Sequence, residues 1–319
     1  MAVLVGIDEA GYGPLLGPLV VSYTAFKLPS ESLQADLWQL LNRSVSQTAK
    51  RAAGRLLITD SKKAHTKSAG IKHLERTTLA VCCAAGQSPT SMACLLDMLD
   101  PACLSRFRTY PWYADLDQHG LASEAADLGI ATHAFMLDLK RQKMSFLGVK
   151  SRCLDVKHYN ERVQIIRNKS NVLFTETCSL LQQALAHEVG EDLQVVIDRQ
   201  GGRVHYRESL LRMFPGADLS ILRETEQMSS YDMWVQNRKV RVHFVVKADA
   251  RCLPVSLASM ASKYVRELLM KRLNAYFISL CPTLKPTAGY WQDGQRFVQD
   301  LAQQIPEKMP DRERLIRCR

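Results

Sequence analysis

Four carboxylates at the ends of three apolar runs are the residues of this chain best placed to do chemistry. Asp8 and Glu9 close the run 2–7, Asp198 closes the run 193–197, and Asp249 follows the run 242–246 by three residues. Each run is short, rich in β-branched side chains and bounded by charged or glycine-rich sequence, the pattern of a buried strand. In an α/β sheet such strand ends converge on the face where ligands bind. Four acids gathered there repel one another at neutral pH, by several kcal/mol for a pair about 4 Å apart at intermediate dielectric, so a cation must sit among them. An all-oxygen donor set suits Mg²⁺ or Mn²⁺, and two such ions about 4 Å apart assist in-line attack on a phosphodiester. Taken singly, each acid could equally be a solvated turn residue or a helix N-cap. Adjacent strand residues point to opposite faces, so Asp8 and Glu9 share one site only if the chain bends right after Asp8. Gly11 and Gly13 supply the freedom for that bend.

Positioning these acids is the task of the surrounding elements. A glycine turn separates the first strand from a second at 19–26, which predicts a hairpin. Leu33, Leu37, Trp38 and Leu41 predict a helix within 31–53, and the short apolar run 56–58 leads into Thr59-Asp60-Ser61-Lys62-Lys63. Pro111, Trp112, Tyr113 and the acidic segment 114–127 suggest an inserted lobe, and 171–188 has helical spacing. Pro254 opens a helix whose small residues Ala258, Ser259, Ala261 and Ser262 allow close packing on a sheet. Strands alternating with helices indicate an α/β domain.

Composition narrows the class. At 319 residues, 46% hydrophobic and 23% charged, the chain can bury a full core, which excludes disordered, collagenous and coiled-coil proteins. Its longest apolar run with glycine and proline included, 13–21, is about half a bilayer span, and the start lacks the layout of a signal peptide; the expectation is a cytoplasmic protein with no membrane partner. Nine cysteines, an odd number with no CxxC pair, read as buried free thiols in a reducing compartment. A net charge of +10 attracts a polyanion such as nucleic acid. Gly11-Tyr12-Gly13-Pro14-Leu15-Leu16-Gly17 imitates a dinucleotide-binding loop, but it runs into β-rich sequence instead of a helix, and two acids before it repel a pyrophosphate. No nucleotide cofactor is expected.

The segment 7–18, Ile-Asp-Glu-Ala-Gly-Tyr-Gly-Pro-Leu-Leu-Gly-Pro, resembles the opening signature of type 2 ribonucleases H, the bacterial ribonuclease HII and the catalytic subunit of the eukaryotic enzyme. Thr59-Asp-Ser-Lys62, Val196-Ile-Asp198, Lys247-Ala-Asp-Ala250, the stretch 254–263 and Ala288-Gly-Tyr290 resemble further blocks of that family in the same order. The resemblance implies a ribonuclease H-like fold, a central mixed β-sheet flanked by helices. It would form a single catalytic domain over 1–319, with an inserted lobe around 75–170 and a C-terminal helical extension around 282–319. It also implies a metal-dependent endoribonuclease that hydrolyses the RNA strand of RNA–DNA hybrids, or ribonucleotides embedded in DNA, with two Mg²⁺ or Mn²⁺ ions and 5′-phosphate products. The family's metal ligands fall on Asp8, Glu9, Asp198 and Asp249. Its sugar-packing tyrosine falls on Tyr290, with a core aromatic as the alternative, and its substrate-backbone contacts fall on Ser61 and Lys62, with a plain N-cap as the alternative. Gly11, Tyr12 and Gly13 stand where the family reads the 2′-hydroxyl, and Lys62, Lys63, Lys247 and Lys263 are candidates to line a backbone groove. Two departures stand out. Tyr12 occupies the place of an arginine, and the separations of 52 residues from Asp8 to Asp60 and 138 from Asp60 to Asp198 exceed the family norm. Two other functions fit the same residues: a non-catalytic nucleic-acid-binding relative, and another nuclease of this superfold.

Overall fold

Apolar residues from Ala2 to Ile7 build the strand β1 (Ala2–Ala10), which is buried on both faces as far as Asp8. The computed structural model describes residues 1–66, 68–121, 125–186, 191–236 and 238–318. The other strands are β2 (Leu19–Leu28), β3 (Val45–Ser46), β4 (Leu56–Leu57), β5 (Ser145–Leu154), β6 (Asp192–Asp198), β7 (Asp218–Glu224), β8 (Met228–Val235) and β9 (Arg238–Val245). Seven of them form one sheet in the order β5-β2-β1-β6-β9-β8-β7. β1 runs parallel to β6 and β6 parallel to β9, while the remaining pairs are antiparallel. This mixed sheet, including the 2–28 hairpin, agrees with the architecture the resemblance implies.

The helices are α1 (Leu37–Leu40), α2 (Ser61–Ala64), α3 (Lys72–Ala84), α4 (Met92–Leu99), α5 (Leu104–Arg108), α6 (Ala125–Arg141), α7 (Val156–Ile166), α8 (Lys169–Leu185), α9 (Arg207–Met213), α10 (Leu253–Leu280), α11 (Trp291–Gln304) and α12 (Arg312–Leu315). The two faces of the sheet carry separate cores. Leu4 and Phe26 join Leu79, Phe135, Val255 and Tyr264 of α3, α6 and α10 on one side. Val3, Val5, Ile7 and Tyr23 join Tyr159, Phe174, Leu181 and Leu210 of α7, α8 and α9 on the other. Alternation along the strands sorts the side chains between the two cores.

Residue 6 marks the closest approach of helix to sheet. A Cβ on Gly6 would overlap the Pro254–Val255 peptide at the start of α10, and Thr24 Oγ1 donates to the Pro254 carbonyl at 2.7 Å. Neither partner is a flexible side-chain tip, so Gly6→Ala must push helix and sheet apart, with an expected cost of about 3 kcal/mol. Gly129→Ala on α6, where nothing lies within 4 Å of the new methyl group, is the control and should be neutral or stabilising. Urea unfolding of the two variants measures the contrast; equal stabilities would remove Gly6 as a packing constraint.

Several sequence expectations need correction. The helix expected within 31–53 shrinks to the single turn of α1, capped by Asp36, because Val45–Ser46 pairs in parallel with Leu56–Leu57. Within the stretch 75–170, expected as an inserted lobe, β5 is the edge strand of the main sheet, and residues from Leu79 to Phe146 belong to the same core as α10. β7 and β8, which precede β9, were not legible as strands. The helix expected over 171–188 is α8; its last two residues, 187 and 188, lie outside the described residues. All nine cysteines are free, but only Cys82, Cys103, Cys153 and Cys178 are buried. Among the described residues no helix is long and apolar enough to cross a membrane.

Candidate active site

The strand register brings the acids together. β1 pairs with β6 only as far as Ile7 opposite Ile197, so Asp8 and Glu9 project past that ladder beside Asp198, the last residue of β6. Asp249 sits in a single 3₁₀ turn (Ala248–Ala250) just after β9, reached through Lys247 at φ 54°. The bend expected after Asp8 comes three residues later, at Gly11 (φ +92°); β1 continues to Ala10.

Electrostatics bind the four acids into one group. Burial raises the Asp8 carboxyl well above its usual range, and Glu9 and Asp198 push it further. Burial and the charge of Asp198 bring Glu9 up to about 7. Asp198 is raised to about 6, first by burial and then by Asp249, although the Ala248 N–H donates to its Oδ1 at 2.7 Å. Burial and Asp60 raise Asp249. Among the described residues no lysine, arginine or histidine forms an ion pair with any of the four; Lys62 acts on Asp198 and Asp249, and Lys63 on Asp249, without pairing with either. Carboxylates crowded without a counter-ion fit a divalent cation. The quartet is wider than one coordination sphere: among the described residues the group with three possible ligand atoms within 4.8 Å is Asp100, Cys103 and Cys153. There Asp100 already accepts from the Cys153 N–H at 2.8 Å and meets Arg152 at 3.3 Å, so its oxygens serve the fold.

Around the acids, the expected substrate contacts divide into two sets. Tyr12 stands between Glu9 and the first turn of α8, close enough to both for Glu9 and Ser170 to act on its hydroxyl: Lys169 Nζ lies 5.5 Å from its ring centre, and Arg203 donates to Ser170 Oγ at 3.0 Å and to Asn171 Oδ1 at 2.7 Å. Tyr290 is 52% exposed at the start of α11, which removes the core-aromatic alternative. Lys62, Lys63, Lys247 and Gly13 are exposed. Two expected contacts are turned elsewhere. Ser61 is buried and meets Ser259 at 3.1 Å, and Lys263 is locked to Glu267 at 2.7 Å with little exposure, so neither faces a groove. The N–H of Lys62 is taken by the Asp60 side chain at 2.8 Å, so the plain N-cap describes this short helix.

Sequence reasoning missed Ser259, whose side chain offsets part of the rise at the Asp8 carboxyl, and the cations Lys169 and Arg203 beside Tyr12. The small-residue stripe of α10 carried the signal for Ser259 but was read only as packing. Lys169 and Arg203 are far from any motif.

Searches of solved structures return type 2 ribonucleases H. The structure of a PCNA:RNase HII complex from Archaeoglobus fulgidus aligns over 99% of this chain and 94% of the other, at 15% identity and a TM-score of 0.47. The ribonuclease H2 of Pyrococcus horikoshii OT3 aligns over 98% and 92%, at 15% identity and 0.42. Bst-RNase HIII in complex with Mn²⁺ aligns over 99% and 66%, at 14% identity and 0.45. No protein-family model and no curated protein matches the chain. Likenesses at this level carry no argument about chemistry, which rests on the residues themselves.

Proposed function

We propose that this chain is a divalent-metal-dependent endoribonuclease of the ribonuclease H type, cutting RNA paired to DNA or ribonucleotides embedded in DNA. The observation that carries the reading is the quartet Asp8, Glu9, Asp198 and Asp249 at the strand ends, whose pKa values are raised and with which, among the described residues, no side-chain cation pairs. When bound, Mg²⁺ or Mn²⁺ would supply an activated water and stabilise the leaving oxygen, giving a 5′-phosphate product. Asp8 and Asp198, from adjacent parallel strands, would hold the ions together with Glu9 and Asp249. Lys62, Lys63 and Lys247 offer exposed charge to a phosphate backbone. Tyr290 presents an exposed ring to a sugar, and the backbone of Gly11 and Gly13 permits the close approach needed to read a 2′-hydroxyl. Cytoplasmic placement belongs to the same reading, supported by the nine free thiols. Cleavage of three labelled duplexes, an RNA/DNA hybrid, a single ribonucleotide in DNA, and plain DNA, tests it. Cutting of the first two alone supports the proposal. Cutting of plain DNA favours another nuclease of the superfold, and binding without cutting favours a non-catalytic relative.

Tyr12 sets a second expectation. A tyrosine offers one hydroxyl and a flat ring where an arginine would offer a fork of donors. The parent should therefore reject plain DNA but only weakly prefer a lone ribonucleotide over a continuous hybrid. Tyr12→Arg should shift that ratio toward the lone ribonucleotide by about tenfold, the equivalent of roughly 1.4 kcal/mol. The measurement is kcat/KM on both substrates. An unchanged ratio, or a strong preference already in the parent, removes Tyr12 from substrate choice.

A further inference from the structure

Ser259, Ser262 and Arg266 lie at i, i+3 and i+7 on α10, one stripe of the helix. Ser259 donates to Ser61 Oγ at 3.1 Å, and Ser262 donates to the Asp8 carbonyl at 3.0 Å. Arg266 is 1% exposed. It donates from Nη1 to the Pro18 carbonyl at 3.2 Å and from Nη2 to the Leu16 and Ala288 carbonyls at 3.4 and 3.1 Å. Among the described residues no carboxylate forms an ion pair with this guanidinium, so backbone carbonyls of two separate turns solvate a buried positive charge.

The backbone is shaped around that side chain. Gly11, Gly17 and Gly289 have φ of +92°, +79° and +81°. A Cβ on them would stand 3.0 Å from Arg266 Cδ, 2.8 Å from Nη1 and 3.3 Å from Nη2 respectively. The two turns also hold each other, since Leu15 and Leu16 donate to the Gly289 carbonyl at 2.7 and 3.1 Å. Arg317 grips the first turn through the carbonyls of Pro14 and Leu15. Loss of Arg266 would therefore leave that turn attached through Arg317 while removing one of the two links that fix its spacing from the turn at 288–290, the other being the Leu15 and Leu16 bonds to Gly289.

We infer that Arg266 is a positioning residue that fixes the Gly11–Pro18 turn, which carries Tyr12, against the turn that presents Tyr290, and so sets the spacing of substrate contacts across the acid site. The inference rests on the functional reading above. Lysine cannot replace this fork, because a point charge cannot span three carbonyls in two turns.

Arg266→Lys and Gly289→Ala test the assignment from opposite sides. The first removes the fork, and the second pushes the 288–290 turn off Leu16 and Arg266 while leaving the guanidinium in place. Both should raise KM on the RNA/DNA hybrid by about tenfold or more, up to the roughly hundredfold scale of a 1 Å misplacement, with Mn²⁺ affinity unchanged. Amide hydrogen exchange should quicken at Leu15 and Leu16 but not at the β1 amides of Val3 to Gly6. Unchanged KM and unchanged Leu15 and Leu16 protection in the folded variants would overturn the inference, as would loss of protection spreading through β1, which marks a purely structural role. If Arg266→Lys does not fold, Gly289→Ala decides by the same two readouts. If the parent cuts no duplex, the functional reading fails, and hybrid affinity together with Leu15 and Leu16 exchange still decides the role of Arg266.

Discussion

Asp8→Asn and Asp198→Asn should each lower hybrid cleavage by roughly a thousandfold, a loss equivalent to several kcal/mol of transition-state stabilisation, while the protein stays folded and still binds the hybrid. Asparagine keeps the size of the side chain and one carbonyl oxygen. It can still accept the Glu9 N–H that now reaches Asp8 Oδ1 at 2.8 Å, or the Ala248 N–H at Asp198. What it removes is charge, from a group of acids that already repel one another. The variants should therefore gain stability in the absence of metal even as they lose activity. Asp155 is the structural contrast: its buried carboxylate accepts from Tyr110 Oη at 2.6 Å and Arg106 Nε at 3.0 Å, so Asp155→Asn should cost stability. Circular dichroism, urea unfolding and single-turnover cleavage of the three variants separate the two roles. Activity of Asp8→Asn within about tenfold of the parent would sink the assignment of Asp8 to the metals.

The acids were legible because each lies at the end of a strand whose apolar run is continuous in sequence, and the small stripe of α10 because close packing on a sheet excludes larger side chains. Where sequence reading failed, tertiary partners had overridden local pattern. β5 carries Lys150 and Arg152, which look unsuited to a sheet. In the fold Lys150 reaches the Met98 carbonyl at 2.7 Å and Arg152 pairs with Glu176 at 2.9 Å. β7 is the outer strand, and Ile221 and Leu222 are both exposed where its register shifts, so no burial period marks it. Leu37, Trp38 and Leu41 are buried as their spacing predicts, yet the helix stops because Trp38 Nε1 donates to the Ile58 carbonyl at 2.8 Å and the β3–β4 pair draws the chain into an extended form. At the site, a four-residue motif showed Ser61 and Lys62 but not which way they face. The serine turns inward to Ser259, and Asp60 consumes the helix N-terminus.

Raised carboxylates make the metal-free protein least stable where the enzyme should be most active. Glu9 moves from 4.5 to about 7, Asp198 from 3.8 to about 6, and Asp8 and Asp249 move the same way. A carboxyl whose folded pKa lies above its unfolded value contributes stability that is complete below the unfolded value and is lost as pH rises through the folded one. For Glu9 and Asp198 the loss falls between about pH 4 and pH 7.5 and, for the coupled group, is on the order of 5 kcal/mol. His243 works in the opposite direction, since burial brings it down to about 4, so its contribution is gained over the acid end of that range. The comparison must therefore be parent against a Glu9→Gln, Asp198→Asn double variant, in which the histidine contribution cancels. Without metal, the stability advantage of the variant should grow steadily from pH 5 to pH 8. Addition of Mn²⁺ should reverse it, because a divalent ion binds the ionised quartet and stabilises the folded state by mass action; the rise in Tm should be large at pH 8, small at pH 5 and absent from the variant. Thermal melts in chelator and in Mn²⁺ across that range read out the linkage without any activity assay. A metal-induced shift independent of pH, or equal in parent and variant, would place the ion somewhere other than among Asp8, Glu9, Asp198 and Asp249.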